Sequence, residues 1–393
     1  MLGHGRTGHR TRRGSQMVFA GSAALVVYAF AGYPAIVALL ARTRPRPVRA
    51  DPDAAPDVSM IVLAYDEAEI IEDKLRGTQA LDYPPERLEL LAVTDGSTDD
   101  TPLRAGRVPG VRVLHDPERR GKLAAMNRGA AAARGEILVF SDANNRYSRE
   151  ALRELVAPFA DPEVGVVTGR KAIDDGEGRP LDRAEGLYWR YESRLKAWES
   201  AIGSVTGVAG EILAFRREAY RSPRIGTMNE DFVQAMLAAS EGWRVVYAPE
   251  AVSLERASAT LGDEATRRSR LVTGRWQALA ELLPGMLRSN PRLAWQVISH
   301  KGLRPLVPGA LVGLAAGSAP LARSSTAARL ATAAQLLFYA GAAVGWHDAR
   351  RGRRRRWSYL PYFFCRMNVA SLRGLGDYAT GRREAVWARV QRG

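Results

Sequence analysis

The residues best suited to chemistry stand in Ser141-Asp142-Ala143-Asn144-Asn145, at the carboxyl end of a short apolar segment, Ile137 to Phe140. A carboxylate and an amide two positions apart can both present oxygens to one hard cation, and such a cation can hold a diphosphate. Asp142 and Asn144 are the candidate pair. The competing reading makes the same residues a helix-capping turn before SREALRELV, since Ser, Asp and Asn favour such positions. Similar polar clusters end two other apolar segments: Tyr65-Asp66-Glu67 follows Val58 to Ala64, and Asp95-Gly96-Ser97 follows Leu88 to Val93. A fourth cluster, Asn229-Glu230-Asp231, opens a helix, where a capping role is the default for an isolated example.

An alternation of short apolar strands with helices must position these groups. DEAEIIEDKLRGTQAL reads as an amphipathic helix with acids in its first turn, where the dipole favours them. Val111 to Leu114, Ile137 to Phe140, Val164 to Gly169 and Arg244 to Ala248 read as further strands, and Arg170 to Pro180 as a polar loop. This order implies an α/β fold with a mostly parallel sheet and right-handed crossovers, whose strand ends collect polar residues at one edge, where open α/β sheets bind ligands. In LDRAEGLYWRYESRLKAWES the aromatics Tyr188, Trp189, Tyr191 and Trp198 suit a core or interface stripe. Gly203, Gly207 and Gly210 allow close backbone approach near a cleft, or serve as turn residues. Arg267, Arg268, Arg270 and Arg275 share a helix with Trp276, suited to lying on a membrane surface or clamping phosphates.

With 393 residues, two or three parts are expected. One cysteine, Cys365, excludes an intrachain disulfide framework and any Cys-based zinc site. A net charge of +15 calls for an anionic partner or surface, and position decides which. Arginines crowd the tail before residue 17, the segment after residue 41 and the run Arg350 to Arg356, each next to an apolar stretch. Anionic lipid and the positive-inside rule give that distribution. No zinc-finger spacing or RNA-binding aromatic signature is present, which argues against nucleic acid. The expected organisation is a basic tail over 1–16, a transmembrane helix over 17–41, a Pro- and Arg-rich linker over 42–57, and a catalytic domain over 58–255. Amphipathic interface helices over 256–303, a transmembrane hairpin over 304–347 and a basic, aromatic membrane-proximal tail over 348–393 follow; WSYLPYFFCRMNVASLRGL within that tail is interfacial or a third span. The arginine run puts the α/β part on the cytoplasmic side, with residues 323–328 outside. The four arginines before residue 17 conflict with this topology, which translation starting at Met17 would resolve.

Together the motifs resemble the family 2 nucleotide-sugar glycosyltransferases, and more closely their membrane-embedded polysaccharide-synthase-like branch. VSMIVLAYDEAEII resembles the family's opening strand, with Asp66 in place of the usual Asn, and VTDGSTDDT its second strand, with Thr94 in place of the first Asp. RRGKLAAMNRGAAAARGEILVFSDANN resembles the run that ends in Asp-x-Asp, here with Asn144 in the second acidic place. GEILAFRREAY resembles the acceptor-side segment, and NEDF the acidic pair that carries the base. RRSRL is similar to Gln-x-x-Arg-Trp, with Arg267 for Gln and Leu271 for Trp, and SHKGLRPLVP extends the likeness.

The resemblance implies a GT-A (nucleotide-diphospho-sugar transferase) fold, Rossmann-like, with membrane helices at both ends. It implies an inverting enzyme of hexosyl- or N-acetylhexosaminyl-transferase type at the cytoplasmic face of an inner membrane, acting on a lipid-linked or growing glycan in envelope or exopolysaccharide synthesis. It further implies Asp231 as base beside Glu230, and Ala64, Tyr65, Glu67, Asp95, Lys122, Asp142, Asn144, Arg267 and Arg270 around a nucleotide-sugar donor, a UDP-sugar. Asp142 and Asn144 would hold a divalent cation, Mn2+ or Mg2+, with Gly210, Glu211 and Trp276 on the acceptor side. Two alternatives stand beside this reading: a prenyl-phosphate sugar transferase, and a non-catalytic membrane scaffold with a degenerate domain, which the changes at Thr94, Asn144 and Leu271 would suit.

Overall fold

The computed structural model describes residues 4–174, 180–224, 226–256, 260–353 and 355–382. Eight strands form one sheet: β1 (Val58–Ala64), β2 (Leu88–Asp95), β3 (Val111–Asp116), β4 (Ile137–Asp142), β5 (Arg146–Tyr147), β6 (Val164–Asp174), β7 (Leu213–Arg216) and β8 (Arg244–Arg256). Their order is β3-β2-β1-β4-β7-β6-β8-β5. All seven residues of β1 are buried. Ile61 and Leu63 enter one hydrophobic layer and Met60 and Val62 the other, as a central strand covered on both faces requires. β1 pairs in parallel with β2 and β4, in a register that sets Ala64 beside Thr94 and Leu63 beside Asp142. Three polar strand ends therefore reach one edge together.

The sheet is mostly parallel, as expected, with four parallel pairings, and mixed through three short antiparallel ones. β7 runs antiparallel to both β4 and β6, and β5 antiparallel to β8. The reason lies in the approach: the chain enters β7 beside the end of β4, Leu213 opposite Phe140, and has to run back from there. The polar loop expected from residue 170 instead extends β6 to Asp174, and 175–179 lie outside the described residues.

Helices His4–Val27 and Tyr33–Thr43 join through a π-helical turn, Tyr28–Gly32. The turn answers Pro34, whose ring crowds the carbonyl four residues earlier. That carbonyl, of Phe30, accepts from the Tyr191 hydroxyl at 3.2 Å. The expected tail before residue 17 is thus helical from His4. Arg12–Thr43 and Thr326–Arg350 are the two helices, among the described residues, long and apolar enough to cross a membrane. Val307–Leu321 has 15 residues; at about 1.5 Å per residue it falls short of the roughly 30 Å hydrocarbon layer. It packs on the first helix, where a Cβ at Gly317 would lie 2.6 Å from the Phe19 backbone nitrogen, the close approach that small residues permit. The hairpin expected over 304–347 therefore has one long arm and one short one.

The linker is extended but seated on the domain. Arg46 N–H donates to the Ala201 carbonyl at 2.7 Å, and buried Arg244 donates to the Arg46 carbonyl at 2.8 Å. The membrane-side helices are tied in as firmly. The Tyr33 hydroxyl donates to Glu199 Oε1 at 2.5 Å, and His300 Nδ1 lies 2.8 Å from the same oxygen.

Gly135 separates the Lys122–Ala132 helix from β4, and its N–H donates to Ser59 Oγ at 2.8 Å. A Cβ there would stand 2.6 Å from the Val58 carbonyl carbon, which is backbone and cannot swing aside. Gly135→Ala is expected to cost about 1–3 kcal/mol by overpacking, read as a lowered thermal midpoint of the detergent-solubilised protein.

Candidate active site

Asp142 is the last residue of β4, and its Oδ1 accepts from Lys122 Nζ at 2.7 Å. Lys122 opens the helix that follows Gly121, so one short helix and one strand bring the pair together. Three more carboxylates face the same space. Glu230 and Asp231 begin the Glu230–Ser240 helix, and Glu211 lies in the turn before β7. Burial opposes the charge on Lys122, yet Asp142, Glu230 and Asp231 together hold its pKa above the usual lysine value. The carboxylates shift in turn. Burial raises Glu230, with Lys122 opposing and Asp231 adding; burial raises Asp231, with Lys122 opposing and Glu211 and Asp142 adding. A Cβ at Gly210 would lie 2.8 Å from Asp231 Oδ2, so only glycine lets the turn pass so close to that carboxylate.

The competing cap readings do not hold. The helix after Asn145 starts at Ala151, beyond β5, with no side-chain cap, and Asn229 makes no capping hydrogen bond either. Asn144 lies in the turn after Asp142. Its neighbour Asn145, unmarked in the sequence, is the structural anchor: its Nδ2 donates to the Glu211 carbonyl at 2.7 Å and to Ser253 Oγ at 2.8 Å. Its Oδ1 accepts from buried Lys74 at 2.5 Å, and Lys74 also donates to Ser141 Oγ at 2.8 Å. Lys74 was not among the expected site residues, because a lysine in an amphipathic helix reads as surface and its partner is 71 positions away.

Ala64, Tyr65, Asp95 and Lys122 line a narrow recess with Arg119. The Arg119 guanidinium sits 3.7 Å from the centre of the Tyr65 ring. Asp95 Oδ2 accepts from the backbone N–H groups of Arg120 at 3.1 Å and Gly121 at 2.6 Å, while its buried Oδ1 has no hydrogen-bond partner among the described residues. Thr94 turns the other way, with Oγ1 2.8 Å from His115 Nδ1. Thr94 is not among the residues lining the recess. Glu67 does not line it either, and its backbone N–H donates to Thr101 Oγ1 at 2.8 Å.

A larger cavity of about 300 Å³ begins at Asp231, Gly210 and Glu211 and runs to Phe30, Val307, Phe363 and Phe364. Arg267 lines this cavity and pairs with Glu264 at 2.9 Å, a correction to its expected place beside the donor. Arg270 faces Glu230, whose pKa it lowers. Trp276 is also corrected: it does not line the cavity, and stacks on Tyr378 with ring centroids 6.4 Å apart. A separate cleft beside Arg46 and Arg244 is lined by Gly203 and by none of the expected catalytic or donor-binding residues.

Residues 59–222 match the family model described as glycosyl transferase family 2. The chain carries a family 2 glycosyltransferase domain. It is similar to the poly-beta-1,6-N-acetyl-D-glucosamine synthase of Staphylococcus aureus (strain COL), 26% identical over 240 residues, which cover 58% of this chain and 56% of that one. It is also similar to the beta-monoglucosyldiacylglycerol synthase of Synechocystis, 31% identical over 163 residues, 40% of this chain and 33% of that one. The chain thus spans about half the length, or less, of these curated relatives. Among solved structures it resembles a mannosyltransferase from Pyrobaculum calidifontis in complex with GDP-Man and Mn2+, 27% identical, covering 90% of this chain and 99% of that one, with a TM-score of 0.65. The α/β domain accordingly has the GT-A fold.

Burial pushes Lys74 down to about 7 from an ordinary 10.5, with Asp142 opposing. Between those values the unfolded chain binds more protons than the folded one, so Lys74 makes stability rise with pH. Lys74→Met should remove that rise, measured as thermal midpoints of both proteins from about pH 7 to about pH 10.

Proposed function

We propose that this transferase moves a sugar from a nucleoside-diphosphate donor to a hydroxyl of a lipid-linked acceptor, with inversion, from the cytoplasmic side of an inner membrane. The observation that carries the reading is the meeting of the two compartments at one cluster. Lys122 lines the recess of Asp95 and Tyr65 and holds Asp142 at 2.7 Å, and Asp231, on which both Lys122 and Asp142 act electrostatically, lines the cavity.

The cluster suits a divalent cation. Asp142, Glu211, Glu230 and Asp231 crowd round one cleft, an excess of negative charge over Lys122 that a cation with bound diphosphate would relieve. Among the described residues no three metal-ligating side chains converge, which matches a cation held by one or two protein oxygens and completed by substrate phosphates. Asp142 would hold it, with Asn144 beside it; when bound, the cation stabilises the charge that develops on the leaving diphosphate. Asp95 Oδ1 is placed to accept from a nucleobase N–H, and Tyr65 with Arg119 to border the base. The resemblance favours a UDP-sugar, whereas the similar mannosyltransferase holds GDP-Man, so a nucleotide-sugar screen for diphosphate release has to include both.

Asp231 takes the proton of the acceptor hydroxyl. The hydroxyl oxygen bonds to the anomeric carbon as the bond from that carbon to the diphosphate breaks, and the electron pair leaves with the diphosphate. One displacement inverts configuration. Its raised pKa makes Asp231 a better base than an exposed aspartate, and Glu211, the other carboxylate beside it, is tied to Lys171 at 3.4 Å.

Asp231→Asn is expected to reduce transfer by about 10²-fold or more while Mn2+-dependent nucleotide binding survives; normal turnover would remove Asp231 from the mechanism. Asp142→Ala should lose the Mn2+-dependent part of nucleotide binding in titration calorimetry. Asp231 works as the carboxylate, so kcat/KM should fall with decreasing pH through a midpoint above the usual aspartate range. Lys122 holds that midpoint down, and in Lys122→Met the acid limb should move to higher pH.

A further inference from the structure

The larger cavity has a second charged zone beyond the catalytic cluster. Among its described lining residues, lysine and arginine outnumber aspartate and glutamate seven to four. The excess concentrates on its membrane-helix side. A Cβ at Gly207 would lie 2.8 Å from Lys301 Nζ and 3.6 Å from Lys196 Cε, so two lysines converge over one backbone position. Lys301 and Arg304 share a single buried carboxylate, Glu192, with Lys301 Nζ at 3.3 Å from it. Burial brings the Lys301 pKa down to about 8, Glu192 opposing, and Arg275 and Arg304 push it further down. Lys301 and its neighbour His300 lie on a π-helical turn, Ile298–Gly302, a distortion common at functional sites. Beyond these cations the lining turns apolar with Phe30, Val307, Phe363, Phe364 and Met367.

Asp231 at Gly210, the two lysines at Gly207 and the Arg304 guanidinium 5.8 Å from the centre of the Phe30 ring give the order carboxylate base, cations, apolar wall. We infer that the acceptor is a sugar joined to its lipid through phosphate, with the sugar hydroxyl at Asp231, the phosphate at Lys196, Lys301, Arg304 and Arg275, and the lipid along Phe30 and the Phe363–Met367 face. This rests on the transferase reading above and goes beyond it by naming the group between sugar and lipid. A neutral glycolipid would bring no anion to a wall where Lys301 and Arg304 already share one carboxylate. A bare lipid phosphate as attacking group fits no better, because a phosphate monoester with a second pKa of about 6 is already ionised at neutral pH and needs no base. It would also have to sit against Asp231. Gly207 and Gly210 are three residues apart, so the cations lie within about 11 Å of backbone from the Asp231 contact.

The test uses the full-length protein in nanodiscs and compares two ligands by thermophoresis: farnesyl diphospho-N-acetylglucosamine and farnesyl N-acetylglucosaminide, which lacks phosphate. The phosphate-bearing lipid should bind at least about tenfold more tightly, as charge-assisted contacts give, and inorganic pyrophosphate should compete with it. In Lys196→Met/Lys301→Met the preference should disappear, with Mn2+-dependent GDP or UDP binding retained as the control for folding. Equal affinity of the two lipids for the wild type, no binding of the diphospho-lipid, or an undiminished preference in a folded double variant would each overturn the inference. So would farnesyl phosphate acting as acceptor, with release of nucleoside diphosphate. Absence of any nucleoside-diphosphate binding would instead overturn the transferase reading, and the lipid comparison does not depend on it.

Discussion

Crowded carboxylates around one lysine are the constraint to which the rest of the structure answers. Asp142, Glu230, Asp231 and Glu211 approach one space, where Lys122 holds Asp142 at 2.7 Å and Lys171 lies 3.4 Å from Glu211. Like charges in a partly buried cleft raise one another's pKa values, and such an arrangement persists only where the scaffold is rigid enough to hold it. Rigidity comes from behind. The Asn145 side chain joins β4, β8 and the turn before β7 in one hydrogen-bond network, and Lys74 closes it from the helix below. The destabilised groups are thus at the front of the cleft and the compensating bonds at its back, the division expected of a site whose strain serves its chemistry.

The same division explains what the sequence made legible. β1 is found at its expected limits, Val58 to Ala64, and β2 and β4 start where expected, at Leu88 and Ile137. Each is a buried apolar run closed by a polar cluster, and that local signal is enough. β7 was not legible as a strand because four residues, LAFR, between two turns carry no usable period, and nothing local fixes the direction in which they run. The two-residue β5 is shorter still. Lys74 and Asn145 escaped for a different reason: their meaning is a pairing across 71 positions, invisible to periodicity. Arg267 and Trp276 were misplaced because a motif fixes which helix carries a residue and not which face of that helix meets the cleft.

Contact between the N-terminal apolar helix and the α/β domain joins an apolar cluster, Tyr33 and Val37 on Leu195 and Ile202, to specific polar bonds. The Tyr28 hydroxyl lies 2.9 Å from Ser299 Oγ and accepts from Trp295 Nε1 at 3.1 Å, which ties together the two π-helical turns. Glu199 gathers Tyr33, Thr206 and His300 within 3.1 Å, all buried. Burial by itself would raise the pKa of Glu199, yet His300 and its hydrogen-bond donors hold it below the usual value. Satisfied buried networks of this kind confer orientation more than they confer stability, and here they fix how the helix that carries Phe30 meets the domain that carries Asp231.

The walls of the larger cavity are gathered from nearly the whole length of the polypeptide, Phe30 at one extreme and Ser371 at the other. A ribosome delivers those walls in order, and the first has to wait while more than three hundred residues are added. Until the Arg356–Ala379 helix has emerged and laid Phe363 and Phe364 against the rest, the chamber has no roof. A nascent chain can therefore complete its sheet and gather its carboxylates well before this cavity is enclosed, so the closing of that chamber comes late in the biosynthesis of the molecule.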